Sequence, residues 1–250
     1  MTVAVRSPFI DLLMLPCAGA SATMYLRWRR LLPEWLRIVP VELPGRGARI
    51  GEPYQEDCTR LVDRICGEHA ASMQGRYALF GHSMGALLAY AVAQRRRALG
   101  LSLPCALFAS GSPAPSQRDP ARYAGKDDDA ALMADLRRQG GTPDEVFGNT
   151  ELLRLTLDTL AADYRVCASF PDALQAPLPV PLHVLGGRSD DIAAERVEAW
   201  RREAGGQFTL DWFDGGHFFI RQQEQQVLAA ITRTLTRQFS GVGHAAAAIA

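Results

Sequence analysis

The stretch Tyr77-Ala78-Leu79-Phe80-Gly81-His82-Ser83-Met84-Gly85-Ala86-Leu87-Leu88 limits what this chain can fold into more than any other. It reads as a short apolar strand, a Gly-x-Ser-x-Gly turn and the start of a helix. A sharp strand-to-helix turn leaves no room for side chains beside its serine, and Gly81 and Gly85 stand at the two crowded positions. Such a turn is a nucleophile elbow: it lifts a serine hydroxyl above the end of a sheet and aims the following backbone N–H groups at the reacting atoms. The bare pattern is weak, because 11 serines among 22 glycines in 250 residues give ~0.1 chance matches. Its weight comes from the apolar run before it and the helical run after it.

The rest of the chain supplies a sheet for that elbow. Asp11–Leu15, Arg37–Leu43, Tyr77–His82 and Leu103–Ser110 read as buried strands. Thr23–Leu32, Asp57–Met73 and Met84–Leu99 read as helices between them, Thr23 capping the first. Strands alternating with helices at this spacing mean βαβ units and a parallel sheet. The alternation stops at Ser112 and resumes near Val180. Between them lie helical stretches at 128–139 and 151–170, with Thr142-Pro143-Asp144-Glu145 as a cap and helix start. Residues 112–179 therefore read as a helical insertion over the C-terminal strand ends, a lid. Val180–Leu185, Ile192–Ala204, Gln207–Phe213 and Gln222–Phe239 complete the alternation, and 241–250 read as a frayed tail. The expectation is one α/β domain over 1–250.

Composition narrows the function. Lys+Arg and Asp+Glu are 27 each, so net charge gives no general attraction to nucleic acid or an anionic membrane. No apolar run reaches the length of a membrane span, and no secretory leader is visible. Five scattered cysteines, none in a C-x-x-C pair, suggest neither zinc nor a disulfide framework; they read as reduced thiols of a cytoplasmic protein.

A serine nucleophile needs a base, and the base needs an orienting carboxylate. Among five histidines, His69 falls on an exposed helix, His183 inside a strand and His244 in the tail. His82 adjoins Ser83 but points away from it, which gives it a structural role. His217 is left, in the loop Asp214-Gly215-Gly216-His217-Phe218-Phe219 directly after a strand, where parallel sheets place their sites. One βα unit earlier, Leu185-Gly186-Gly187-Arg188-Ser189-Asp190-Asp191 offers two carboxylates. Asp191 can be read as the cap of a helix starting at Ile192, so Asp190 is favoured as the partner of His217. Asp214 stands too close to His217 along the chain. The order Ser, Asp, His is that of α/β-hydrolases. An oxyanion hole would take the Met84 N–H and one from the small-residue loop Pro16-Cys17-Ala18-Gly19, where Ala18 is the nominee. Cys17 has no dedicated base and is not read as a nucleophile.

With these residues placed, the chain resembles the stand-alone type II thioesterases of nonribosomal peptide and polyketide synthesis, which are α/β-hydrolases. The matching pieces are Leu15–Gly19, Val41-Glu42-Leu43-Pro44-Gly45-Arg46, Leu79–Ala86, Arg138–Pro143, Leu185-Gly186-Gly187 with Asp190, and Gly215–Phe219. They span nearly the whole chain. The resemblance implies Ser83 as nucleophile, His217 as base, Asp190 as its partner and 112–179 as the lid. It implies acyl groups on the phosphopantetheine arm of a carrier protein as substrate, an editing role, no cofactor and a monomer. The chain departs from the family at Cys17, where His, Tyr or Phe is usual and where the acyl pocket would change. It departs again at Asp191, where Pro commonly follows the catalytic Asp. A carboxylesterase or acyltransferase with the same triad, and a non-catalytic hydrolase-fold binding protein, are the alternatives.

Overall fold

A computed structural model describes residues 9–123, 126, 128–171 and 176–247. Six strands form one sheet: β1 (Ile10–Leu15), β2 (Leu36–Pro40), β3 (Tyr77–His82), β4 (Leu107–Ser110), β5 (Leu182–Gly187) and β6 (Phe208–Phe213). Their spatial order is β2-β1-β3-β4-β5-β6, and every neighbouring pair is parallel. The expected α/β architecture is therefore present. The inner strands β1, β3, β4 and β5 are buried on both faces, which is why they are largely apolar rather than alternating with polar residues, while the edge strands β2 and β6 expose Arg37 and Asp211. Along β1, Leu13 and Leu15 point to one core, and Ile10, Leu12 and Met14 to the other.

The first face is covered by α1 (Cys58–Glu68) and α2 (Met84–Ala98), through side chains such as Leu61, Ile65 and Leu87. The second is covered by a 3-10 turn over Ala22–Arg30, carrying Tyr25 and Trp28, and by Val227, Ile231 and Leu235 of the C-terminal helix. Between β4 and β5 come α3 (Asp129–Gln139), α4 (Asp144–Phe147) and α5 (Thr150–Ala168). Among the described residues this stretch holds no strand, only a single bridge from Leu178 to Ala204. The sequence of α5 carries an apolar stripe (Leu153, Leu157, Leu160, Tyr164, Cys167), and its middle packs with α3 into a small core made of Leu132, Leu136, Leu157, Leu160, Ala161 and Tyr164.

Several element ends differ from the sequence reading. Ser21, not Thr23, caps the first turn: its hydroxyl accepts the Thr23 N–H and donates to Glu42. The helix expected at Asp57–Met73 stops at Glu68, and Asp57 caps it by accepting from the Arg60 N–H. Pro143 itself occupies the cap of α4, without a side-chain bond from Thr142. The helix expected from Ile192 begins two residues later, as α6 (Ala194–Glu198) followed by a 3-10 turn over Ala199–Glu203. Ile192 is buried and the backbone stays extended at Ala193, so Asp191 caps nothing. The last expected helix is two: α7 (Phe219–Gln222) and α8 (Glu224–Ala247). The stretch read as frayed is thus helical to Ala247, in keeping with the helix preference of its alanines. Residues 248–250 lie outside the described residues.

Candidate active site

Ser83 sits between β3 and α2 with φ +56° and ψ −117°, the one non-glycine residue with positive φ among those described. A backbone of that kind costs on the order of 1–3 kcal/mol and persists only where its surroundings enforce it. Here they do. A Cβ on Gly81 would run into the Gly85 carbonyl, and a Cβ on Gly85 would run into the Leu15 carbonyl at the end of β1. The Ser83 N–H is tied to the Ser110 carbonyl of β4 at 2.8 Å. The hydroxyl is left facing the C-terminal ends of the strands.

Two loops meet it there. Asp190 follows β5 and His217 follows β6, the neighbouring strand. Backbone bonds stitch the loops together, from Arg188 N–H to the Phe213 carbonyl and from Ser189 N–H to the Gly215 carbonyl, both 2.9 Å. The His217 imidazole spans Asp190 Oδ2 at 2.9 Å from Nδ1 and Ser83 Oγ at 3.0 Å from Nε2. An ionised carboxylate only accepts, so Nδ1–H donates to Asp190. Nε2 of the neutral ring is then left to accept from the Ser83 hydroxyl. Asp190 and His217 are both buried. Burial pushes the Asp190 carboxyl up, but the hydrogen bond and charge of His217 outweigh it and hold the carboxyl below the usual range. Asp191 is exposed, 3.7 Å from Arg122 and 3.8 Å from Arg138, and touches the triad only through the Asp190 carboxyl beside it.

A serine, an imidazole and a carboxylate in this chain order and spacing can perform acyl transfer through a covalent intermediate. The thioesterase domain family is matched over residues 11–237. The chain belongs to the thioesterase family. It is accordingly a thioester hydrolase, and its expected likeness to the type II thioesterases holds. It is 35% identical to linear gramicidin dehydrogenase LgrE of Brevibacillus parabrevis, covering 90% of this chain and 87% of LgrE. The RedJ thioesterase of the prodiginine pathway in Streptomyces coelicolor superposes with a TM-score of 0.82 at 32% identity, covering 93% of this chain and 96% of RedJ. YbtT, a type II thioesterase of the yersiniabactin NRPS/PKS pathway, does so at 0.78 and 30%, covering 96% and 97%. The dehydrogenase name is LgrE's own; the family match and both solved structures are thioesterases.

In this thioesterase Ser83, His217, Met84 and Ala18 line one cavity, so the structure brings both nominated oxyanion residues to Ser83. The insertion closes it from above with Arg122, Tyr123, Gln139, Tyr164 and Cys167. Its volume is ≈ 20 Å³, room for about one water. A second cavity of ≈ 300 Å³ shares Ala18 and Gln139 with it and is lined by Cys17 and Phe218. Cys17 thus faces the neighbouring cavity rather than Ser83. Burial pushes its thiol up to about 12, and its Sγ rests 4.0 Å from Met24 Sδ, which suits a packed thiol and not a nucleophile. Another groove, ≈ 480 Å³ beside α1 and α2, touches none of Ser83, Asp190 or His217.

His82 takes the structural place expected of it. Its ring is fully buried, with Nδ1 2.9 Å from Ser110 Oγ and its centroid 5.1 Å from that of His217. Burial, then the charge of His217, holds it well below the ordinary histidine range, so it stays neutral beside His217. Among the described residues no group of three or more metal-ligating side chains stands together, and no helix is long and apolar enough to cross a membrane. The sequence reading gave no role to Glu42, Arg46 and Asp163, which together grip the loop carrying Ala18. A signal for Asp163 existed: it falls three residues after Leu160 and four before Cys167, inside the apolar stripe of α5, where a carboxylate is out of place.

Proposed function

We propose that this thioesterase hydrolyses acyl thioesters on the phosphopantetheine arm of carrier proteins, as an editing enzyme of nonribosomal peptide or polyketide synthesis. The observation that carries the proposal is the unbroken relay from Asp190 through His217 to Ser83, at 2.9 and 3.0 Å. The pathways named for RedJ and YbtT support the carrier-bound substrate. Five free cysteines suit a reducing, cytoplasmic setting.

In this mechanism Ser83 Oγ attacks the thioester carbonyl while His217 Nε2 takes its proton. Asp190 stabilises the imidazolium and keeps the tautomer. The oxyanion is received by the Met84 and Ala18 amides, which are fixed dipoles and need no rearrangement as charge develops. The pantetheine thiol leaves with the proton from His217. Water, deprotonated by His217, then opens the acyl-serine and releases the acid. Each step uses only groups of the chain and water, so no cofactor is required. A cavity of ≈ 20 Å³ holds no acyl-pantetheine, so the insertion over 112–179 acts as a lid that opens to admit it.

The test is hydrolysis of acetyl-carrier protein by the purified enzyme. Ser83→Ala should lose it, and wild-type rates in that variant would refute the mechanism. Faster turnover of simple esters than of acyl-carrier protein would favour a carboxylesterase.

A further inference from the structure

The motif Val41-Glu42-Leu43-Pro44-Gly45-Arg46 and the buried carboxylate of α5 converge on one short loop. Asp163 Oδ2 accepts the Gly19 N–H at 2.8 Å and Arg46 Nη1 at 2.6 Å; Asp163 Oδ1 accepts Arg46 Nη2 at 2.7 Å. Arg46 Nη1 also donates to the Ala20 carbonyl at 3.2 Å. Glu42 accepts from the Ser21 hydroxyl at 2.7 Å and from the Ala22 N–H at 3.0 Å. Residues 19–22 are thus each held by a charged side chain. The Gly19 N–H lies in the peptide plane that joins Ala18 to Gly19, so holding it fixes that plane, one φ/ψ pair away from the peptide that carries the Ala18 N–H.

The ion pair at the centre is almost without solvent: Asp163 is 0% exposed and Arg46 5%. Removing two charges from water costs about what their attraction returns, so an apolar pair of similar volume would serve stability as well or better. Stability alone does not account for the pair, whereas the geometry of its third partner, Gly19, does.

We infer that Asp163, clamped by Arg46, is a positioning residue that holds the Ala18 N–H in the oxyanion hole, so that a helix of the covering segment completes the hole. The inference rests on the reading of Ser83 as nucleophile and Ala18 as an oxyanion donor. It separates activity from stability in opposite directions in two variants. In Asp163→Asn the amide oxygen takes the place of Oδ2, which keeps Gly19 and Arg46 Nη1, and sets its NH2 against Arg46 Nη2. The variant melts at a lower temperature yet keeps kcat within about threefold. Arg46→Met with Asp163→Leu keeps the packing and removes the acceptor for Gly19. It melts near the wild type yet loses kcat roughly tenfold or more, with KM within about twofold, since a displaced oxyanion donor weakens the transition state rather than substrate binding.

Both variants are measured at a temperature well below either melt. The first readout is kcat and KM. The second is the affinity of an alkyl boronic acid, whose tetrahedral adduct on Ser83 reports the oxyanion hole without a carrier protein. Parallel losses of kcat and boronate affinity in a folded double variant bear the inference out. A folded double variant with wild-type kcat and boronate affinity overturns it. So does an Asp163→Asn enzyme whose kcat falls as far as its stability, and that variant decides alone if the double one does not fold. A wild type that binds the boronate but leaves acyl-carrier protein untouched overturns the substrate reading, not this one.

Discussion

Two regions meet at Ser83 and are held there by opposite means. Beneath it, backbone packs on backbone: the Gly81 and Gly85 positions leave no space for a methyl, and the strained serine is tied to β4 through its own N–H. Above it, the covering segment is fastened by charge. Asp135 pairs with Lys126 and Arg138 and accepts the Tyr164 hydroxyl at 3.1 Å, and Asp163 pairs with Arg46. Its apolar core is small and separate from those of the sheet. Close-packed backbone has one arrangement, whereas a segment with a small core of its own can open locally. The difference fits the parts proposed for the two regions, a fixed nucleophile below and a movable cover above.

Asp190 and Asp191 are chain neighbours that fall on opposite sides of this divide, and they give the widest expected gap. Asp190→Asn presents the wrong partner to His217 Nδ1 and should lower kcat roughly 10³–10⁴-fold with little change in melting temperature. Asp191 is exposed and stands outside the relay, so Asp191→Asn, which loses charge beside Arg122 and Arg138 but keeps a hydrogen-bonding group beside Asp190, should change kcat less than about twofold. Steady-state rates of the two variants measure the contrast directly. Equal losses would mean that the cover, through Arg122 and Arg138, is part of the relay.

A matched pair of packing changes comes next. Gly85→Ala drives a methyl into the Leu15 carbonyl and should cost about 3 kcal/mol of global stability in urea unfolding. Leu132→Ala empties a site in the covering core and should cost about 2 kcal/mol or more. That loss should be read as local opening: faster proteolysis within 112–179 while the sheet's unfolding midpoint moves little. If Leu132→Ala shifts the global midpoint as Gly85→Ala does, cover and sheet unfold together and the cover is no independent lid.

The same divide explains what could be read from the sequence. The elbow, the six strands and the order Ser83, Asp190, His217 were legible because each depends on local signals: apolar runs, glycines at crowded turns and loops directly after strands. Apart from the family resemblance, Asp190 was preferred to Asp191 by treating Asp191 as a helix cap, and that reason was mistaken although the choice agrees with the geometry. The helix starts late because Ile192 is drawn into the cavity under the cover, a tertiary effect that overrides the capping signal. Arg46 and Asp163 lie 117 residues apart, beyond the reach of any periodicity. The trace they leave is a carboxylate in the apolar stripe of α5. What escaped the sequence is thus concentrated where the cover meets the sheet.

Acid separates the two regions with the smallest effect, and the sign follows from burial. His183 of β5 stacks on Phe108 and hydrogen-bonds Thr209 at 2.7 Å, and burial lowers it to about 4; His82 at the end of β3 is held well below its ordinary value, first by burial and then by the charge of His217. Between pH 6.5 and 4 the unfolded chain binds protons that these native histidines refuse. Stability must therefore fall as pH drops through that window, by up to about 1.4 kcal/mol per pH unit for each histidine. Asp135 in the cover behaves differently. Burial pushes its carboxyl up, but the bonds from Lys126 and Tyr164 bring it below the usual 3.8, so its stabilisation is intact through that window and is lost only at lower pH. His183→Gln keeps a partner for Thr209 and removes one titration, so urea unfolding at pH 6.5 and 4.5 should show a shallower loss in the variant, by about one proton's worth. An unchanged slope would mean that His183 takes up its proton in the folded sheet, and that this region is more open to water than its packing implies.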